Sequence, residues 1–180
     1  MKRAKRLYIL FGVLVVLCIA TVCVLQYDQK QEEIQTSGET ILTVDADTVS
    51  TLDWETESDS LAFHKDGSWL YDEDEAFPVS EEKINDLLAE FEDFRAAFVI
   101  ENVTDFAQYG LDEPVCTIDI TTSDTNYEIQ LGDYSSMDSQ RYVSIGDGNV
   151  YLAVNDPLDA FDLTLSDMIA HDEVPSFDEV

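Results

Sequence analysis

A chain of 180 residues carries 39 acidic residues against nine basic ones, a formal net charge of −30. Four of the bases (Lys2, Arg3, Lys5, Arg6) precede the first acid, Asp28, so from residue 27 onward thirty-nine acids face five bases and the net charge is near −34. Such a surface repels phosphate backbones and anionic headgroups, which excludes nucleic-acid binding, and the length allows one globular domain of modest core.

Residues 7–25, LYILFGVLVVLCIATVCVL, hold no charge. At about 1.5 Å rise per residue this stretch spans roughly 28 Å, the thickness of a bilayer core. A cleaved signal peptide has a shorter apolar region, and no small-x-small cleavage site follows. A lipid-modified cysteine needs a small residue before it, whereas Cys18 and Cys23 follow Leu17 and Val22. The segment therefore reads as an uncleaved signal anchor in the lipid bilayer. The basic cluster places residues 1–6 in the cytoplasm and the rest of the chain outside the cell membrane. Cys116 is the one cysteine of the exported part, so no intramolecular disulfide staples it.

Residues 26–41 are polar, include a Ser-Gly pair, and read as a juxtamembrane linker. The extracytoplasmic domain is expected over 42–180. TVSTLDWE predicts a strand with Val49, Thr51 and Asp53 on one face and Leu52 and Trp54 on the other. Two further strands, with Leu61 and Phe63 inward on the first and Trp69 and Tyr71 on the second, flank Asp66-Gly67, a pair suited to a type I′ hairpin turn. Ser80 then caps a helix with Glu81 and Glu82 in its first turn and a Val79–Ile84 staple. Ile84, Leu87, Leu88, Phe91 and Phe94 recur at helical spacing as one apolar stripe. Residues 96–114 read as a connector containing a short apolar run, 98–100. VCTIDITT and NYEIQLGD alternate around a turn at 123–125, with Cys116, Ile118 and Ile120 on one face and Tyr127, Ile129 and Leu131 on another. RYVSI and NVYLAV form a hairpin through Gly146–Gly148, and a second, shorter helical stretch follows from Asp156. The order predicts an α+β fold, mainly antiparallel strands and hairpins, with one amphipathic helix packed on the sheet, a second shorter helix, and one transmembrane helix before them.

Motifs that carry chemistry are few. The run DEDE (72–75) lacks the alternate carboxylates, sixth glycine and twelfth glutamate of a calcium loop, and neighbours on an extended chain point opposite ways. It reads as a solvated edge. Thirty-nine acids guarantee some pair at glycosidase spacing, so carboxylate pairs carry no weight. His64 and His171 lack metal spacing and read as surface histidines. Cys116 shares a face with Ile118 and Ile120 and reads as a core residue. Asn102 fits a glycosylation sequon, which matters only in a eukaryotic secretory pathway. Trp54, Trp69, Tyr71 and Phe77 pack in the core or, in the alternative, form a sugar or peptide platform. No catalytic, cofactor or metal residue is assigned, and the chain is not read as an enzyme.

The ordered set LAFHKDGSWLYDEDEAFPVSEEKINDLL, FVIENVTDFAQYGLDEPVCTIDI and YEIQLGD, followed by RYVSIGDGNVYLAV and MIAHDEVPSF, resembles the domain of unknown function 4340 family. The resemblance rests on Trp69, Tyr71, Phe77, Val79, Tyr109, Gly110, Leu111 and Pro114 and covers residues 48–177. It implies a bacterial, membrane-anchored protein with no assigned catalytic site. It also implies an accessory role beside envelope or ABC-type transport subunits. Many relatives continue beyond the point matching Val180, so a truncated member is one expectation. The alternative is a surface-tethered binding module for a glycan, a peptide or calcium.

Overall fold

The computed structural model describes residues 38–170. The basic tail (residues 1–6) expected in the cytoplasm, the segment 7–25 expected to span the membrane, most of the expected linker and His171 lie outside the described residues. Within them the chain folds as a β-rich α+β domain. In chain order its strands are β1 (Glu39–Leu42), β2 (Val49–Thr56), β3 (Ser60–Asp66), β4 (Ser68–Tyr71), β5 (Phe94–Ile100), β6 (Cys116–Thr122), β7 (Asn126–Ser135), β8 (Gln140–Ser144) and β9 (Val150–Ala153). They form one antiparallel sheet in the order β1-β5-β9-β8-β7-β6-β2-β3-β4. Helices α1 (Glu81–Ala89) and α2 (Leu158–Phe161) pack on it.

Alternation at period two sends Leu52, Trp54, Leu61, Phe63, Cys116, Ile118, Ile120, Ile129 and Leu131 to one buried face. The helices and the turn Leu165–Met168 close that face. Trp54 stacks on Phe63 at 5.4 Å and meets the edge of Phe161 at 5.5 Å, while Phe91 bridges Phe94 and Phe161. Each such ring, fully buried, contributes about 1.5–3 kcal/mol by removal from water.

Ser80 caps α1 as its sequence predicts, its Oγ accepting from the Lys83 amide at 3.3 Å. The apolar stripe outruns the helix, however. The helix ends at Ala89, Phe91 lies in the following turn, and Phe94 opens β5. Spacings of three and four mark residues that reach one core without marking where the helix stops, and no Gly or Pro punctuates this end.

The supposed connector is itself a strand over its first part. β5 takes in the apolar run 98–100 and pairs with β1 on one side and β9 on the other. The sheet also starts earlier than Leu42, since β1 includes three residues read as linker. Val49 changes face as well. The register slips between Val49 and Thr51, and this bulge at Ser50 brings Val49 into the core beside Leu52. At the β3–β4 turn Gly67 alone has positive φ (79°) and Asp66 pairs with Ser68, so the turn is not type I′, which needs positive φ at both central residues. Gly146 and Gly148 (φ 79° and 87°) turn the β8–β9 hairpin as expected.

Candidate functional site

A groove of about 560 Å³ opens where β2 ends and β6 begins. Three short segments build it. The first is the β2–β3 turn, held by the Thr56 amide donating to Asp59 O (2.8 Å) and by the Thr56 hydroxyl donating to the same oxygen (3.2 Å), which leaves Glu57 and Ser58 at an exposed tip. The second is Glu113–Pro114–Val115, tied down by the Val115 amide donating to Leu131 O at 2.8 Å. The third is α2, which supplies Leu158 and Asp162. An adjoining hollow of about 400 Å³ adds Glu55 and Thr117. The lining therefore combines three apolar residues, Pro114, Val115 and Leu158, with a rim of exposed carboxylates, Glu57, Glu113 and Asp162.

A buried ion pair sets the third wall. Arg141 Nε donates to Asp156 Oδ1 at 2.7 Å, and Nη1 donates to Gly132 O at 2.7 Å. The same Asp156 oxygen accepts the Leu158 amide at 3.0 Å, so the pair fixes the first turn of α2.

Residues quoted for the family resemblance converge nearby. Gly110 (φ 68°) ends the turn Ala107–Tyr109, and the Tyr109 ring lies 5.0 Å from that of Tyr142. A Cβ on Gly132 would sit 2.2 Å from Tyr109 O and 2.9 Å from Leu111 Cγ. Tyr109, Gly110 and Leu111 thus seat against Gly132 and Asp133 by close backbone approach, and the chain leaves that contact directly into Glu113 and Pro114. Their spacing serves packing, and the packing aims one wall of the groove.

Cys116 lies beneath this region, fully buried. Burial pushes its thiol up to about 12, with Arg141 opposing and Asp162 adding to the shift, so it is a core residue and a poor nucleophile. His64 is on the outward sheet face, opposite Thr51 at the other end of β2. Its Nδ1 meets Asp72 Oδ1 at 2.5 Å, and that hydrogen bond holds the imidazole above its ordinary pKa. The acidic run is divided among separate partners: Asp72 binds His64, Glu73 accepts from the Tyr71 hydroxyl at 3.0 Å, and Asp74 accepts the Ala76 amide at 3.1 Å. All four acids are exposed. Among the described residues no group of three or more His, Cys, Asp and Glu is placed to hold a metal ion.

The aromatic platform is overturned. Trp54, Trp69 and Tyr71 are 2%, 4% and 5% exposed, and alternation with outward neighbours turns all three into the core. The groove itself is not legible in the sequence, because residues 55–58, 113–117 and 158–162 are far apart in the chain and none has a distinctive motif. The end of the connector at Pro114 is the one sequence signal that falls on the groove.

The model of the family described as Domain of unknown function (DUF4340) matches residues 69–179. The match takes in the second and third walls of the groove and leaves out the β2–β3 turn. Neither a curated protein nor a solved structure matches the chain.

Proposed function

The chain belongs to the DUF4340 family, and from that premise we propose a non-catalytic, membrane-anchored extracytoplasmic domain that serves as an accessory or interaction module of a bacterial envelope or ABC-type transport complex. The apolar segment 7–25 supports the anchor, and the basic cluster before it supports a cytoplasmic N-terminus. The observation that carries the reading is the groove. Its apolar residues Pro114, Val115 and Leu158 offer contact area, with Val115 37% exposed, while the Cys116 thiol is buried with its pKa pushed up and the described histidine sits at the opposite end of β2. This lining suits holding a partner rather than transforming a substrate.

A photo-crosslinking residue at position 115 of the full-length protein, in its native host, tests this. Capture of a transporter permease or another envelope subunit supports the module. Capture of nothing, with the protein present in the membrane fraction, overturns it.

A further inference from the structure

The partner's chemistry follows from the groove, granted its reading as a contact surface. We propose that the groove between the β2–β3 turn, the Glu113–Pro114–Val115 segment and α2 seats a lysine- or arginine-bearing, partly apolar segment of a partner protein.

Charge complementarity picks this occupant. Glu55, Glu57, Glu113 and Asp162 line the groove and its adjoining hollow, and among the described residues no lysine or arginine does. The four bases of the described residues (Lys65, Lys83, Arg95 and Arg141) lie on β3, α1, β5 and β8, and Arg141 is already engaged by Asp156. A neutral or acidic segment would bring no charge to compensate this rim.

Shape picks the side-chain type. The carboxylates of Glu57, Glu113 and Asp162 are exposed, while Pro114, Val115 and Leu158 line the same groove as an apolar strip. Lysine and arginine present the matching halves, an aliphatic stem that covers apolar surface and a cationic head that stays near water. A bare divalent cation would use the carboxylates and leave the strip uncovered. An apolar segment without a base would cover the strip and leave the rim unpaired. The volume, about 560 Å³, lies within the range of small-ligand sites and holds more than one side chain. Because the rim is exposed, the interaction is screened by salt, with its electrostatic part mostly in the association rate.

The probe is an acetylated, amidated Lys-Leu-Lys-Leu peptide, titrated into the detergent-solubilised full-length protein at low salt and read by calorimetry. Saturable binding is expected, weaker by about tenfold in Glu57→Lys/Glu113→Lys. Asp124→Lys, a one-site charge change in the exposed β6–β7 turn at the end of β6 far from the groove, should leave the affinity within about twofold. Val115→Asp should weaken binding although it adds a negative charge, which separates the apolar contribution from bulk attraction. Equal binding to the Glu57/Glu113 variant overturns the proposal, as does a Lys-Ser-Lys-Ser peptide binding equally well. Calcium saturating the site in place of the peptide overturns it too. The two readings fail separately. A crosslinked envelope partner that lacks a basic segment removes the cationic specificity and keeps the module, whereas peptide binding without envelope capture does the reverse.

Discussion

Asp53 and Asp119 stand directly opposite each other on β2 and β6, on the sheet face turned away from the core, and Glu128 on β7 continues the row. Like charges in directly opposed positions of a sheet repel. The Asp53 carboxyl is accordingly held above its ordinary range, by burial first and then by Asp72 and Asp119, against a backbone hydrogen bond from Phe63. Asp119 is raised by burial and then by Glu128. A carboxyl whose folded pKa is raised penalises the folded state once ionised. The penalty is absent below the unfolded value, about pH 4, and is complete above the folded one. Asp119→Asn should therefore stabilise the protein by roughly 0.5 kcal/mol at pH 7, with the gain vanishing toward pH 3–4. Urea denaturation of both proteins across that range is the check, and a variant less stable at pH 7 would refute it.

His64 and Asp72 give a second pH dependence of the same sign. The raised imidazole pKa means that the pair's stabilisation is fully present below about pH 6.5 and is lost as pH rises through the folded value. His64→Gln should remove the part of the stability difference between pH 6 and pH 8.5 that the wild type shows. Identical pH profiles for the two proteins would show that the contact contributes nothing.

The glycines divide by cause. Gly132→Ala drives a Cβ against the Tyr109 carbonyl at 2.2 Å, so backbone must move, and the cost should be about 3 kcal/mol. Gly67→Ala meets nothing within 4 Å and should cost only the left-handed backbone penalty, about 1 kcal/mol. Asp66→Ala should be nearly neutral, because Asp66 does not take positive φ. Urea midpoints of the three variants decide the ranking, and equal losses at Gly67 and Gly132 would contradict it.

Arg141 and Asp156 are both mostly buried, so removing one strands the other. Arg141→Met should cost about 3 kcal/mol, and Arg141→Met/Asp156→Leu should cost less than the two single changes added together. The Asp156 change also frees the Leu158 amide, so it should loosen α2 as seen by faster amide hydrogen exchange at the start of that helix.

Cys116 should resist alkylation in the native protein at pH 8 and react on unfolding, followed by peptide mass mapping that separates it from Cys18 and Cys23. Its thiol, pushed up to about 12 and fully buried, supplies neither the thiolate nor the access that alkylation needs.

What the sequence determined by itself was whatever depends on neighbours along the chain. Period-two alternation placed the faces of β3, β6 and β7. Ser80 marked the start of α1, and Gly146 and Gly148 marked a hairpin. The Tyr109 to Pro114 motif pointed to the family. Each signal is carried within about ten residues, where side-chain direction and turn chemistry are set locally.

The tertiary structure alone decided the rest. Residues 98–100 became strand because β9 offers their backbone partners, while β1 pairs with the start of the same strand. Val49 turned inward because one extra residue at Ser50 reverses facing, which no apolar pattern announces. Phe94 left the helical stripe for β5 without leaving the core. The groove had no sequence signature at all, since its walls come from segments more than forty positions apart, brought together by the β2–β6 pairing and by Arg141 holding α2 through Asp156.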